Sequence, residues 1–356
     1  MRVTGLGLAL LATTLAAEPA AAPLIFPEVT PNIAIRLPRD HGSHPDFRTE
    51  WWYVTGWLRD PDGKPLGFQV TFFRSRPAIA SANPSAFAPR QVLFAHAALS
   101  DAATGKLQHD QRVARQGFGI AEAATADGAI RLLDWSFARR PDGSFRTSVP
   151  ARGFALDLAF QPSQPAMANG QGGYSRKGPR PEQASYYYSM PHLKVSGTIL
   201  RAGKRVPVTG EAWLDREWSS TLLPENAVGW DWAGINLDDG AALMAFQVRG
   251  KGGGPIYAGG TFRRPDGSQV ALGPDQVRFI PRRRWRSPAN GALYPVEAEF
   301  IVRLPDGERR FPLRPLFDTQ ELTGGPGMPT YWEGAVTTPG GRGYLELTGY
   351  AGALTL

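Results

Sequence analysis

Residues 40–73 read DHGSHPDFRTEWWYVTGWLRDPDGKPLGFQVTFF, and this stretch decides the fold class. A run rich in β-favouring aromatic residues, 47–58, is followed by Pro-Asp-Gly at 61–63 and by a second apolar run at 67–73. An Asp-Gly pair between two such runs is typical of a β-hairpin turn. The stretch therefore predicts two antiparallel strands rather than a helix.

The first predicted strand combines an acid with indole rings. Side chains alternate between the two faces of a strand. One face would carry Glu50, Trp52 and Val54, and the other Trp51, Tyr53 and Thr55. A carboxylate beside indole rings is either a structural group held by hydrogen bonds or part of a site. Glu50 and Trp52 are therefore candidate ligand-binding residues.

The composition supports many short strands joined by turns. Of the 356 residues, 42% are hydrophobic, which is enough for a full core, and 41 Gly with 32 Pro are dispersed through the chain. No convincing helical periodicity follows the N-terminal leader. The net charge of +7 is carried mainly by short, isolated arginine runs, and no nucleic-acid-binding motif accompanies them. We therefore expect an all-β protein with no nucleic-acid partner.

Several catalytic motifs are missing from the sequence. There is no Gly-x-Ser-x-Gly elbow, no P-loop and no dinucleotide fingerprint in a βαβ context. His41 and His44, with Asp40 and Asp46, could hold a metal, but their spacing matches no tight zinc pattern. Capping and hydrogen bonding of this loop is the simpler interpretation. We predict neither a metal nor another cofactor.

Residues 1–22 have the features of a secretory signal peptide. Arg2 precedes an apolar run of small residues at 6–17, which is shorter than the roughly 20 residues of a transmembrane helix. With 0 Cys, the chain has neither an acylated cysteine nor disulfides. The sequence predicts an exported protein, periplasmic or secreted, without a transmembrane span.

An internal repeat predicts two similar domains. Trp51-Trp52, the turn Asp62-Gly63 and the strand 67–70 recur as Trp230-Asp231-Trp232, Asp239-Gly240 and the strand 245–248. A match this short can also arise by chance. If the repeat is real, each copy is an antiparallel β domain that closes on itself and leaves no open edge. The predicted division is an extended segment at 23–40, a first domain at 41–207 and a second at 208–356.

A second chemical cluster lies at 210–220. On a strand, Trp213, Asp215 and Glu217 would share one face, and Leu214, Arg216 and Trp218 the other. If both carboxyls face a dry interior, burial and mutual repulsion raise at least one pKa, so that one group can act as an acid. Asp215 is the candidate acid. Glu217 is either its catalytic partner or a structural carboxylate paired with Arg48 or Arg216.

A third cluster, residues 185–192, contains three successive tyrosines. Two of them would share a face, where phenols can orient water or stabilise a cation through the ring. Packing against a barrel wall is the alternative. The candidate catalytic residues are therefore Asp215, Glu217, Tyr186, Tyr188 and Trp213. The candidate ligand-binding residues are Glu50, Trp52, Trp218, Trp230 and Trp232.

Residues 37–57, together with 210–220 and 229–232, resemble the AttH-like family of secreted lipocalin-like proteins, which is related to the carotenoid 1,2-hydratases, or hydroxyneurosporene synthases. The resemblance covers nearly the whole chain after the leader. It implies a tandem of two calycin or lipocalin-like antiparallel β-barrels with a hydrophobic ligand site at or near their junction. It also implies that Asp215 matches the proton-donating aspartate of the hydratases, with Trp213 in place of their tyrosine.

Two classes of function follow from the residues and the resemblance. The first is acid-catalysed water addition or isomerisation at a C=C bond of a hydrophobic, isoprenoid-like substrate, with Asp215 as the acid and aromatic rings stabilising the cation. Such an enzyme would be a hydro-lyase of the hydratase type and would need no cofactor. The second is a non-catalytic periplasmic protein that binds a lipid or another hydrophobic molecule and serves an ABC transporter. The sequence leaves both open.

Overall fold

The computed structural model describes residues 24–77, 83, 85, 87–325 and 328–353. The predicted signal peptide, residues 1–22, lies outside the described residues. In the described part, regular structure is almost entirely β-strand, with short 3-10 helices at Arg39–His41 and Pro274–Gln276. No helix within these ranges is long and apolar enough to cross a bilayer. The predicted all-β class is confirmed.

In the described chain, 13 strands form the first sheet, in which every pairing is antiparallel. They are β1 (Thr49–Arg59), β2 (Pro65–Ser75), β3 (Val92–Asp101), β4 (Lys106–Arg115), β5 (Ala121–Ala123), β6 (Ile130–Leu132), β7 (Trp135–Arg139), β8 (Phe145–Ala151), β9 (Phe154–Gln161), β10 (Met167–Ala168), β11 (Tyr174–Arg176), β12 (Ala184–Arg201) and β13 (Lys204–Thr221). Their order is β4-β3-β2-β1-β13-β12-β9-β8-β7-β6-β5, with β10 and β11 paired to β12. Because β4 also contacts β6 and β8, the sheet curls into a nearly closed barrel.

The second sheet of the described chain contains 10 strands, again antiparallel. They are β14 (Ala227–Leu237), β15 (Ala242–Gly250), β16 (Pro255–Arg263), β17 (Gln269–Leu272), β18 (Val277–Arg286), β19 (Leu293–Leu304), β20 (Gly307–Pro315), β21 (Glu321–Leu322), β22 (Tyr331–Thr338) and β23 (Gly341–Leu347). Their order is β17-β16-β15-β14-β23-β22-β20-β19-β18, with β21 paired to β22. Contacts of β16 with β18 and of β17 with β19 show that this sheet curls as well.

The chain passes from the first sheet to the second between Thr221 and Ala227. The predicted boundary between 207 and 208 instead falls inside β13, which pairs with β12 and β1 of the first sheet. Val206 and Val208 lie within β13, and both are β-branched residues, which favour strands. The sheets therefore divide the chain later than the sequence suggested.

The predicted repeat corresponds to two hairpins, β1–β2 and β14–β15. The detailed match is wrong, however. Phe68 lies opposite Gly56 and packs inside the first barrel, whereas Phe246 lies opposite Trp232 and faces away from the second core. The two Phe-Gln-Val segments therefore occupy different registers and opposite faces, although the hairpins themselves recur.

Both hairpin turns depend on glycine. Gly63 and Gly240 have positive φ angles of 78° and 89°. Residues with a Cβ rarely adopt this left-handed backbone, which Asp-Gly hairpin turns require. The Asp-Gly pairs identified in the sequence are thus turns in the structure.

Buried side chains form three main groups. One core fills the first barrel and another fills the second. The third group lies between the two sheets, and we call it the junction. Its main members are Tyr53, Trp57, Met167, Tyr187, Trp213, Trp232, Met244, Phe246, Ala335 and Tyr344. The junction is built from the faces of β1, β12 and β13 that point away from the first core, and from the facing strands β14, β15, β22 and β23.

Candidate active site

The junction brings one row of side chains from each sheet together. Asp215 on β13 lies in register with Tyr53 on β1. In the second sheet, Trp232 on β14, Glu346 on β23 and Glu333 on β22 lie in register across three neighbouring strands. The rings of Tyr53 and Trp232 meet edge to face, with centroids 5.3 Å apart. Four of the five side chains are polar or ionisable groups that a plain packing surface would not require.

Asp215 is the best-defined polar group of the junction. Its side chain is buried and accepts a hydrogen bond from the Tyr187 hydroxyl on Oδ2 at 2.6 Å. Ser189 Oγ and Trp213 Nε1 donate to Oδ1 at 2.5 and 2.6 Å. Trp232 Nε1 donates in turn to the Tyr187 hydroxyl at 3.0 Å. A carboxyl group has about four lone-pair sites, so one remains on Oδ2 for a proton.

Burial raises the pKa of Asp215 to about 7. The hydrogen bonds from Ser189, Tyr187 and Trp213 favour the ionised form and act against this rise, whereas the charge of Glu217 adds to it. Desolvation has the larger effect because the side chain is almost entirely buried. A large fraction of the molecules therefore carries a neutral carboxylic acid here at neutral pH, which is the state that a general acid needs.

Glu217 lies on the same face of β13 but is tied into an ion pair. Lys177 Nζ lies 3.0 Å from its Oε1, and Ser185 Oγ donates to the same oxygen. The Lys177 ammonium also sits over the rings of Tyr187 and Phe246, 4.5 and 4.4 Å from their centroids. Glu217 thus has a structural cation, as one interpretation of the sequence expected. That cation is Lys177, since Arg216 points to the opposite face.

The second sheet supplies the aromatic wall. Trp232 and Trp213 meet edge to face at 6.4 Å, and Trp230 Nε1 donates to Glu346 Oε2 at 3.1 Å. Trp51, Trp230 and Tyr257 are only partly buried. The aromatic lining of the junction therefore extends to the protein surface.

Glu50 does not face the junction. It points into the first barrel, where Arg74 Nε donates to Oε1 and Arg216 Nη2 donates to Oε2 at 2.5 Å. Ser43 Oγ and the backbone N–H of His44 also donate to it. Burial acts against ionisation, but the charges of Arg216 and Arg74 hold the pKa of Glu50 far below its usual range. These contacts match the first interpretation of the sequence, a structural carboxylate held by hydrogen bonds.

The two indoles on the same side as Glu50 contact the charged cluster around it. The Arg216 guanidinium lies 3.6 Å above the ring of Trp52, whose Nε1 donates to a backbone carbonyl of the loop before β1. Trp218 stacks on His44 with centroids 3.9 Å apart and an interplanar angle of 6°. These contacts pack the charged cluster, and they place both indoles behind β13 as seen from Asp215.

The predicted pair of tyrosines behaves in the same way. Tyr188 Oη lies 2.7 Å from His41 Nδ1, and Tyr186 Oη accepts a hydrogen bond from the backbone of Thr30 at 3.0 Å. Both rings belong to the first barrel core. This matches the alternative of packing against a barrel wall, and the tyrosine between them, Tyr187, is the one that faces the junction.

The loop before β1 is held by hydrogen bonds. Asp40 Oδ1 lies 3.2 Å from His44 Nε2, and the backbone N–H of Arg36 donates to Asp40 Oδ2 at 2.5 Å. The side chain of Asp46 is 81% exposed and points away from this network. Among the described residues, no group of three or more His, Asp or Glu side chains is arranged to hold a metal ion.

The sequence interpretation overlooked three side chains next to Asp215 and Glu217. Tyr187 and Ser189 lie in register with Glu217 and Asp215 on the neighbouring strand. The signal was present, since the same alternation that groups Tyr186 with Tyr188 puts Tyr187 and Ser189 on the other face. Lys177 had no such signal, because it comes from a loop after β11 whose path only the folded chain reveals.

The raised pKa of Asp215 predicts a pH dependence of stability. Its unfolded-state pKa is near 3.8 and its folded-state value is about 7. The unfolded chain therefore loses this proton at a lower pH than the folded protein does. As a result, the free energy of unfolding should fall as pH rises from about 4 to about 7, by about 1.4 kcal/mol per unit of difference between the two pKa values. Asp215→Asn should lose less stability over this range than the wild type, as measured by urea unfolding at each pH. Equal slopes would contradict a neutral, buried Asp215.

Together, the fold and the site define a class of protein, an all-β chain of two lipocalin-like antiparallel domains with a buried acid between them. The model of the AttH-like family matches residues 28–350. The chain therefore belongs to the AttH-like family. A crystal structure assigned to AttH from Nitrosomonas europaea is 52% identical and covers 93% of this chain and 100% of that one, with a TM-score of 0.83.

Hydratases are among the more distant relatives. Kievitone hydratase of Fusarium solani subsp. phaseoli is 22% identical over 199 residues, which are 55% of this chain and 55% of that one. The match thus spans about half the length of this curated relative. The structure of kievitone hydratase from Nectria haematococca covers 93% of this chain and 98% of that one at 14% identity, with a TM-score of 0.68, and so shares its fold.

Proposed function

We propose that the protein adds water to, or isomerises, a C=C bond of a hydrophobic, isoprenoid-like substrate bound at the junction, with Asp215 as the acid. The observation that carries this proposal is a buried carboxyl with a pKa of about 7, held by three donors beside aromatic rings. The sequence match to kievitone hydratase supports the hydratase class.

The first step is proton transfer to carbon. The neutral Asp215 carboxyl transfers its proton to one alkene carbon. The O–H bond and the π bond break as the C–H bond forms, which leaves a cation on the other carbon. The Asp215 carboxylate that results is stabilised at once, because Tyr187, Ser189 and Trp213 already point their donors at it. These donors need no rearrangement during the reaction.

The second step consumes the cation. Ring faces of Trp213, Trp232 and Tyr53 line the junction and would stabilise a cation there through their π electrons. Water attack on the cation gives an alcohol, whereas loss of a proton from a neighbouring carbon gives an isomerised alkene. Both outcomes use the same acid, and neither requires a cofactor.

The test is turnover of a small panel of probes. Purified protein is incubated with kievitone, a second prenylated phenol and an acyclic carotenoid, and the products are analysed by liquid chromatography with mass spectrometry. We expect a product heavier by one water, or an isomer of equal mass, for at least one prenyl-type probe. No product from any probe, with binding of the same probes detected, would contradict the enzymatic proposal.

A second candidate function is a non-catalytic carrier of a lipid or another hydrophobic molecule, which would serve an ABC transporter. A cleft of about 380 Å³ between the N-terminal segment and the first barrel favours it. Ile33, Ile35 and Phe47 supply apolar lining, with Tyr186 and Trp218 at the same cleft. This cleft lies on the Trp218 face of β13, and Asp215 belongs to the other.

The carrier function is tested by identifying the bound molecule. Protein purified under gentle conditions is extracted and the extract is analysed by mass spectrometry. A carrier should retain a phospholipid or similar molecule, and Ile33→Asp should reduce that retention. Ile25→Asp is the matched control, because Ile25 is exposed but does not line the cleft. An extract without any hydrophobic molecule would contradict this function.

We also propose that the protein is exported after cleavage of residues 1–22. The support is the sequence pattern of an apolar, small-residue run after Arg2. N-terminal sequencing of the protein recovered from the periplasm or the medium tests this. Retention of Met1 in a cytoplasmic fraction would contradict it.

A further inference from the structure

Two glutamates face the junction from the second sheet. Glu333 on β22 and Glu346 on β23 are directly opposite each other in register. Directly opposed side chains of an antiparallel pair have Cβ atoms about 4.5–5.5 Å apart, so their carboxyls can approach closely. Like charges in such a position destabilise a sheet when both are ionised.

The surroundings of this pair do not neutralise two negative charges. Glu346 accepts one hydrogen bond, from Trp230 Nε1. Burial and the charge of Glu346 raise the pKa of Glu333, and the neighbouring hydroxyls of Tyr53 and Tyr331 act against this rise. The charged groups that act most on the pair are acids, with Asp215 and Glu217 facing Glu346. Burial in such a setting favours one shared proton.

Position connects the pair to the reaction centre. Glu346 lies in register with Trp232, whose indole N–H binds Tyr187, the donor to Asp215. Glu333 lies in register with Glu346 on the other side. The phenols Tyr53, Tyr331 and Tyr344 surround Glu333. The pair therefore belongs to the sheet that faces Asp215, and Trp232 and Tyr187 connect it to that carboxyl.

We propose that Glu333 and Glu346 form a second proton-transfer centre of the junction, a carboxyl pair that shares one proton and acts as the base on the second sheet while Asp215 acts as the acid on the first. This proposal rests on the proposed function for the reaction itself. It adds the group that receives the proton which hydration or isomerisation releases.

The proton balance closes with these groups alone. Asp215 gives its proton to carbon, and water oxygen forms a bond to the resulting cation. The proton that leaves this water goes to the ionised carboxylate of the pair, which then holds two protons. Return of one proton from the pair to Asp215 through water restores the starting state. For isomerisation, the pair takes the proton from the neighbouring carbon instead.

The shared proton is tested without reference to activity. The carboxyl carbons of ¹³C-labelled glutamate are titrated by NMR in the full chain, and Glu333→Gln and Glu346→Gln assign the signals. In the wild type we expect the two carboxyls to titrate in two coupled steps. In each variant we expect the remaining carboxyl to titrate in one step, at a pH more than about one unit below the upper step of the wild type. An unchanged midpoint for the remaining carboxyl in both variants would overturn the pair. The neutral amides remove a buried charge, so we expect both variants to fold.

The role as a base is tested with any probe that the wild type converts. Glu333→Gln and Glu346→Gln should each lower kcat by about 10²-fold or more while KM changes little. Glu321→Gln is the matched control, because Glu321 is a largely buried glutamate of the same sheet that binds Ser287, Asn290 and Tyr294 away from the junction. It should leave both turnover and the titration of the pair unchanged.

The outcomes separate this proposal from the proposed function. If Asp215→Asn abolishes turnover and both Gln variants keep the wild-type rate, the pair is not the base, although Asp215 remains the acid. If the wild type converts no probe, the proposed reaction fails, and the NMR titration alone decides whether Glu333 and Glu346 share a proton. Two independent titrations in the ordinary range of glutamate would overturn the pair in either case.

Discussion

Replacement of Asp215 by Asn is expected to lower turnover of a converted probe by about 10²–10⁴-fold, which is the usual contribution of a positioned general acid. Asn has nearly the shape of Asp, so its carbonyl can still accept hydrogen bonds from Ser189 and Trp213, and its amide can face the Tyr187 hydroxyl. It cannot deliver a proton to carbon. Probe binding should therefore persist while turnover is lost, and both are measured on the same preparation.

The pH dependence of turnover supplies the control. Wild-type kcat should fall as pH rises through about 7, because Asp215 then loses its proton. Ser189→Ala removes a donor that favours the ionised form, so it should raise the pKa of Asp215 and move this fall to higher pH. Wild-type turnover in Asp215→Asn, or an unshifted profile in Ser189→Ala, would exclude Asp215 as the acid.

Replacement of Glu50 by Gln is expected to destabilise the protein by about 3–5 kcal/mol, because it leaves Arg74 and Arg216 buried without a carboxylate. All three side chains are at most 1% exposed. The folded-state pKa of Glu50 is lowered, so its contribution is present at neutral pH and is lost only as pH falls into the strongly acidic range. Urea unfolding at neutral and acidic pH measures both effects.

Glu297→Gln is the matched control for this prediction. Glu297 binds Arg283 at 2.8 Å, but these side chains are 34% and 44% exposed. Water screens such a pair, so we expect a loss of at most about 1 kcal/mol. Equal losses in Glu50→Gln and Glu297→Gln would show that the buried cluster contributes no more than a surface ion pair.

The strands around the site were largely predictable because they depend on local pattern. Alternation along β1 placed Trp52 and Val54 on one face and Tyr53 on the other, and the structure has the same division. On β13, Trp213 and Asp215 were expected to share a face, and they are joined by a hydrogen bond. A side chain's face along a regular strand is a property of the backbone alone.

The tyrosine cluster shows where this reasoning failed. Alternation correctly separated Tyr187 from Tyr186 and Tyr188, but it could not say which face meets Asp215. The pairing of β12 with β13 contains register shifts near Tyr186 and between Met190 and Leu193. A shift of one residue turns every later side chain to the other face, so the partner of Asp215 depends on the register between strands.

The glutamate pair could not be predicted from the sequence, for a different reason. Glu333 follows Trp332, and Glu346 lies between two leucines, a pattern that a strand with one solvent-facing side also shows. The sequence therefore marks neither acid as buried and names no partner for it. The two become neighbours because β22 and β23 pair, and they approach Asp215 because the second sheet covers the first.

The amino-acid sequence by itself determined the β class, the Asp-Gly hairpins and the shared face of Trp213 and Asp215, because turns and alternation are local properties of the chain. Only the tertiary structure decided which face of β13 becomes the junction and which groups surround Asp215. The physical reason is that a carboxyl becomes an acid at neutral pH through burial, and burial arises when the two sheets close over one another. The same packing of the two sheets brings Lys177, Tyr187 and the glutamate pair to the junction.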